Sequence, residues 1–362
     1  MPTSPAGVRF GIFDWIDAAG HELADHYERR LRLIELADRS PFWCYHVAEH
    51  HGTPLGLVPS PNVFLAAAAS RTRRLRLGPL VNVLPLYDPA RLVEEICMLD
   101  HLSRGRLELG LGRGGVPGEL ALYGVRAEDT REIFREGLAL VLQGLREGRF
   151  DHRGRWFTNR AGSTPLRPFQ RPYPPLWYPT SFPDSVPWIA REGISVLFAF
   201  LLTRQRTTAA EQVERYRRVQ REHAADPDRL NGHVAEPCVG VCHHVVVAET
   251  DAEAHVVARR ALREWFANFN HLWLRERGTE YFPSDVDAFI DAGHALVGSP
   301  ETVREQVRRV LAESGGNYFA GVFAFGDLTA EESLRSLDLF ARRVIPDLVA
   351  AGAPPGGMDE RA

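Results

Sequence analysis

Glu49, His50 and His51 stand together just after a short apolar run at residues 42–47. Histidine titrates near neutrality and can act as an acid, a base or a hydrogen-bond donor. A carboxylate beside two imidazoles at a strand exit is therefore a candidate proton-handling cluster. The plain alternative is a polar loop with surface histidines. A second candidate follows the run at 106–111, where Gly110-Leu111-Gly112-Arg113-Gly114-Gly115 fits the spacing G-x-G-x-x-G. That spacing suits a dinucleotide only when a helix begins at once and an acidic residue closes a strand about twenty positions later. Pro117 and Gly118 interrupt such a helix, and no acidic residue stands where the ribose partner belongs. What remains is a nest of backbone N–H groups with one guanidinium, which suits a single phosphate. Thr180-Ser181-Phe182-Pro183-Asp184-Ser185 adds hydroxyls and free N–H groups at a helix start, a setting that favours anions. Simple capping by Ser181 or Asp184 would explain the same residues. Cys238, Cys242, His243 and His244 are not read as a metal site: strand alternation sends the two histidines to opposite faces, and a second ligand pair is missing. Neither a G-x-S-x-G elbow nor a P-loop occurs.

These groups need elements to hold them. Short apolar runs alternate with helical periodicity, the pattern of parallel strands with crossover helices. Strands are predicted at 8–13, 42–47, 75–84, 106–111, 176–179, 194–200, 239–248 and 317–325. Helices are predicted around Leu23 to Leu36, at 61–70, 89–101, 128–145, 185–192 and 207–223, from Asp251, at 300–314 and at 329–344. Ser299 as an N-cap followed by Pro300 marks one start clearly. Residues 147–175 and 268–295 break the rhythm and are read as irregular insertions on the rim. Eight strands with intervening helices is the count of a closed (β/α)8 TIM barrel, with an open doubly wound sheet as runner-up. Residues 1–350 are taken as one such domain and 351–362 as a disordered tail. In such a barrel the working residues follow the C-terminal ends of the strands. Both candidate segments fall there, as do Asn82, Leu84 and Pro85 after the third strand.

Bulk composition agrees with this architecture. The 362 residues, 44% of them hydrophobic, are long for an ordinary domain but usual for a barrel. A net charge of −4, from 43 basic and 47 acidic side chains, gives no reason to propose nucleic acid as a partner. Four cysteines in so long a chain make no disulfide framework, so a reducing cytoplasm is the expectation. Neither a signal-peptide run nor a membrane span is expected.

The chain resembles the bacterial-luciferase-like flavin-dependent monooxygenases. The resemblance runs in order through FGIF, the EHH segment, LGPLVNVLPLYDPARLVEEICMLDHLSRGRLELGLGRGG, PPLWYPTSFPDSVPWIAREG and GSPETVREQVRRVLAESGGNYF. It implies a TIM barrel, often a homodimer, that receives reduced FMN from a separate flavin reductase. It implies oxygenation of a small organic substrate by O2 through a flavin hydroperoxide. It places the flavin phosphate at Arg113, beside Gly112, and at the turn Ser181, Phe182 and Ser185, with Tyr178 counted among the cofactor contacts. A non-proline cis peptide supporting the flavin ring would fall at Leu80–Val81, next to Asn82. The family's catalytic histidine aligns with His50, and Glu49 is the candidate orienting partner of the histidine pair, with a structural salt bridge as its plain alternative. Gly112 stands where the luciferase large subunit carries a reactive cysteine, so no thiol role transfers. Phe182 replaces a residue that is small or polar in that turn. Trp156, Phe157, Trp265, Phe266 and Phe269 are candidate apolar lining for the substrate. Related barrels use a deazaflavin for hydride transfer, and others act as non-catalytic partner subunits. These alternatives stay open at this point, as do the substrate and the type of oxygenation.

Overall fold

The computed structural model describes residues 7–157, 160–198, 208–281 and 284–350. Parallel strands buried on both faces read as continuous apolar runs, and β1 (Arg9–Asp14) shows it, with every residue after Arg9 buried. Next come β2 (Cys44–Val47), β3 (Arg76–Pro79), β4 (Asn82–Val83) and β5 (Leu109–Gly112). Later strands are β8 (Leu176–Thr180), β9 (Ser195–Phe198), β10 (Val239–Val247), β11 (Ala295–Gly298) and β12 (Tyr318–Val322). Their order is β3-β2-β1-β12-β10-β9-β8-β5-β4, with β11 beside β10, and every pairing among them is parallel. A parallel bridge between Leu77 and Leu107 joins β3 to the segment leading into β5. The predicted barrel is thus found, nearly closed, with β3 and β4 sharing one position of the ring.

The helices pack outside. They are α1 (Leu23–Asp38), α2 (Pro61–Arg71), α3 (Pro89–Leu102), α4 (Pro117–Leu122), α5 (Thr130–Glu147), α6 (Val186–Arg191), α7 (Ala209–Glu222), α8 (Asp251–Arg277), α9 (Val286–Asp291), α10 (Pro300–Ser314), α11 (Ala330–Leu339) and α12 (Ile345–Ala350). Helix α5 buries Phe134, Leu138, Val141, Leu142 and Leu145, a stripe at helical spacing. Ser299 caps α10 as expected, its hydroxyl accepting from Thr302 N. Asp88 caps α3 through Ala90 N and Arg91 N. Among the described residues no helix is long and apolar enough to cross a membrane.

Several boundaries differ from the sequence reading. The strand at 75–84 is interrupted by a cis peptide at Leu80–Val81, the bond singled out in advance. Insertion 147–175 holds an antiparallel hairpin of β6 (Arg149–His152) and β7 (Arg160–Ser163). The first ten residues of insertion 268–295 continue α8, and its end belongs to β11, which was not foreseen. Pro117 does not interrupt a helix but opens α4 at its first position, where a missing N–H costs nothing. The predicted strand end at 199–200 and the tail at 351–362 lie outside the described residues.

Candidate active site

A cavity of about 250 Å³ opens where the strand ends converge. Its lining includes Glu49 and His50 after β2, Leu80 and Val81 before β4, Gly112 and Arg113 at the β5 exit, and Tyr178, Ser181, Phe182 and Ser185 at the β8 exit. Ten of the eleven residues to which the resemblance gave a catalytic or flavin-contact role therefore meet in one place. The eleventh, Asn82, is absent from the lining: it is buried, and its Nδ2 donates to Asn62 Oδ1 (3.3 Å) and Tyr87 Oη (3.2 Å).

The histidine pair divides. His50 Nδ1 lies 2.8 Å from Glu119 Oε1, and Glu119 also lines the cavity. Burial alone would lower the His50 pKa, but the Glu119 carboxylate, helped by Glu49, outweighs it and holds His50 above its ordinary value. His51 turns away. Its Nε2 lies 2.9 Å from Glu49 Oε1, and its Nδ1 lies 2.9 Å from the Tyr123 hydroxyl. Glu49 Oε2 accepts from Tyr87 Oη (2.7 Å) and Val83 N (3.1 Å). Glu49 thus orients His51, and the partner of His50 is Glu119. Of the histidine pair that Glu49 was expected to orient, it holds His51 directly and acts on His50 only through its charge. The signal that could have found Glu119 was Pro117 as a helix start, which sets Glu119 at the third position of α4.

At the other end the polar groups are unlike these. Arg113 stacks over Phe182, its guanidinium carbon 5.5 Å from the ring centroid, and it touches the Tyr178 hydroxyl. Burial raises the Tyr178 pKa while Arg113 pulls against it. No carboxylate pairs with Arg113 among the described residues, so its charge is available to an anion. Ser185 precedes α6 without using its hydroxyl as a cap. Much of the remaining lining is apolar: Phe13, Trp15, Ala48, Leu80, Val81, Val83, Leu197 and Trp265. Of the five aromatics proposed for a substrate pocket, Trp265 lines the cavity. Trp156 and Phe157 instead pack on Ile133 and Leu140, while Phe266 and Phe269 sit in the core. An arginine with no carboxylate partner among the described residues, sharing a largely apolar cavity with the Ser181 and Ser185 hydroxyls, fits an apolar ring system carrying a phosphate.

Among the described residues no cluster of metal ligands occurs. His243 and His244 do face different surroundings: His243 Nδ1 lies 2.9 Å from Gly293 O and its ring stacks on Phe319, whereas His244 stacks on Trp15.

Comparisons with known proteins show the family and the fold. The model of the luciferase-like monooxygenase family matches residues 8–318. An uncharacterized protein of Sinorhizobium fredii is 38% identical over 332 residues, covering 91% of this chain and 94% of its own length. The oxygenase component of a flavin-dependent trigonelline monooxygenase from Acinetobacter baylyi is 26% identical, with 74% of this chain and 72% of that protein covered. Among solved structures, the oxygenating constituent of 3,6-diketocamphane monooxygenase from Pseudomonas putida, a type II Baeyer–Villiger monooxygenase in complex with FMN, superposes with a TM-score of 0.77 at 21% identity. That match covers 94% of this chain and 98% of the other and speaks for the fold.

Proposed function

The chain belongs to the luciferase-like monooxygenase family, and from that premise we propose that it is the oxygenase component of a two-component system. It takes reduced FMN from a separate reductase and uses O2 to oxygenate a small organic substrate. That it is a flavin-dependent monooxygenase follows from the family and its relatives. The flavin, when bound, supplies the oxygen chemistry, and the protein supplies binding, orientation and a dry surrounding.

Arg113 holds the flavin phosphate, with the Ser181 and Ser185 hydroxyls and Tyr178 beside it. Leu80, Val81 and Gly112 border the slot for the ring. His50 handles the proton. Its Nδ1 is engaged by Glu119, which leaves Nε2 as the atom that gives or takes a proton in the cavity. The apolar lining keeps water from the reacting centre. The observation that carries this reading is the cavity itself, whose largely apolar lining holds both a carboxylate-backed histidine and an arginine without a carboxylate partner among the described residues.

Anaerobic fluorescence titration with reduced FMN, and separately with a reduced 8-hydroxy-5-deazaflavin, tests it. Reduced FMN is expected to bind the more tightly. Tighter binding of the deazaflavin would overturn the reading in favour of hydride transfer. Activity that appears only after addition of a flavin reductase is the second expected result.

A further inference from the structure

One wall of the cavity has no part in the polar machinery. Trp15, after β1, and Trp265, on α8, border the cavity with ring centroids 5.5 Å apart; Trp265 is itself fully buried, so its ring acts chiefly as support for Trp15. Phe13 meets Trp15 edge-on at 4.8 Å. Behind the two indoles lies His244, stacked on Trp15 at 5.4 Å and touching Trp265 at 4.3 Å. His244 is fully buried, and neither ring nitrogen has a hydrogen-bond partner among the described residues. Burial pushes its pKa down to about 3, so it serves as a neutral aromatic plate that backs the wall.

The wall is tied down from behind. Ile16, next to Trp15, has φ of 51°, a left-handed conformation that a β-branched residue rarely adopts. Ile16 N donates to Asp14 Oδ1 (2.7 Å), and Asp14 Oδ2 lies 3.1 Å from Arg30 Nε. Asp17 Oδ2 accepts from Gly326 N (2.9 Å) and from Asn268 Nδ2 (3.0 Å), and Asn268 Nδ2 also reaches Ala18 O (2.8 Å). Asn268 follows Trp265 by three residues on one helix, so the two share a face. The Asp17–Asn268 contact therefore couples the segment carrying Trp15 to the helix carrying Trp265. Neither Asp17 nor Asn268 lines the cavity.

We propose that Trp15 and Trp265 form the specificity-determining wall for an uncharged, apolar substrate, and that Asp17 and Asn268 act through them as positioning residues. The identification of the occupant as the oxygenation substrate rests on the function proposed above; the preference of the wall does not. An ion placed against this wall would lose hydration with no counter-ion on that side. A cation could gain from the indole faces, but one face of Trp15 is already covered by His244.

Three probes of one shape separate these outcomes: cyclohexyl methyl ketone, cyclohexyltrimethylammonium and cyclohexanecarboxylate. Each is titrated into the full-length protein by tryptophan emission, with and without FMN. The ketone is expected to bind at least tenfold more tightly than the ammonium with or without FMN, and at least tenfold more tightly than the carboxylate once FMN or added inorganic phosphate occupies Arg113. Equal or tighter binding of either ion under those conditions overturns the proposed substrate class. Trp15→Leu is expected to weaken the ketone at least tenfold, and unchanged affinity overturns the role of the wall. If Trp15→Leu does not fold, Trp15→Phe carries the same test with a smaller loss. Asn268→Ala is expected to weaken the ketone threefold or more with FMN affinity within twofold, and Asn268→Gln to restore part of it. A lowered melting temperature with unaltered ketone affinity would mark Asn268 as merely structural. Failure of wild type to bind FMN would remove the proposed function and leave the ketone preference standing.

Discussion

His50 and Glu119 are 69 positions apart in the chain and meet at 2.8 Å, Nδ1 to Oε1. This contact joins the exit of β2 to the short helix after β5 and sets the charge of the histidine. The Glu119 carboxylate holds the His50 pKa above its ordinary value despite burial. Glu119→Gln keeps the shape and removes the charge. The His50 titration, followed by its ring proton resonances, is expected to move to lower pH. The pH profile of turnover should move with it. Linkage has a definite sign here. The raised pKa contributes stability that is fully present below the unfolded value and fades as pH rises through the folded one. The stability difference between wild type and Glu119→Gln should therefore be larger in mildly acidic solution than in alkaline solution. An unmoved titration would show that Glu119 does not govern His50.

The two adjacent histidines should fail in different ways. His50 faces the cavity, so His50→Ala is expected to lower turnover by about 10²- to 10⁴-fold, the usual worth of a general acid or base. Its FMN affinity should change little. His51 is buried between Glu49 and Tyr123. His51→Ala leaves one oxygen of the buried Glu49 carboxylate without its partner, at a cost of roughly 1–3 kcal/mol. Its melting temperature should fall while turnover per folded molecule stays near that of wild type. Measured side by side, a swap of these phenotypes would reverse the two assignments.

How far the sequence foretold this site depends on residue type. Histidine beside glutamate at a strand exit, and arginine among glycines, announce themselves because few other roles demand those types there. The barrel was legible from its alternating runs. What stayed hidden depends on context that single residues do not carry. Glu119 was missed because Pro117 and Gly118 look like helix breakers, yet proline is at ease at a first helical position. Which of the two histidines Glu49 would hold stayed open, because adjacency in sequence does not fix which way two side chains turn; it holds His51. The hairpin of β6 and β7 has strands of four residues, too short to show a period. The last turns of α8 are dense in aromatic and charged side chains, which disguised their helical spacing.

Arg113 provides a test of the phosphate end that leaves the ring aside. A charge-assisted hydrogen bond to a phosphate contributes roughly 1.5–3 kcal/mol. Arg113→Ala is therefore expected to weaken FMN by about ten- to a hundredfold. Riboflavin, which lacks the phosphate, should bind wild type and variant alike within twofold. Fluorescence titration of both ligands against both proteins gives the answer. Equal losses for FMN and riboflavin would mean that Arg113 supports the slot and does not hold the phosphate.

The seam between β3 and β5 links fold to site, and a glycine marks it. A Cβ on Gly110 would stand 3.1 Å from Leu80 Cα and closer still to the Pro79 carbonyl oxygen. Both obstacles are backbone, so neither can swing aside, and Leu80 itself lines the cavity. Gly110→Ala must push the two strands apart, at a cost of about 1–3 kcal/mol for an overpacked interior. The push displaces Leu80, so FMN affinity should fall together with melting temperature. Gly162, in β7, makes the control, because a Cβ there meets nothing within 4 Å. Gly162→Ala should leave affinity intact and melting unchanged or slightly raised, since alanine loses less entropy on folding. Thermal unfolding and FMN titration of both variants check the pair. If Gly110→Ala melts and binds as wild type does, the seam is slacker than its close approach implies, and the cavity wall does not depend on it.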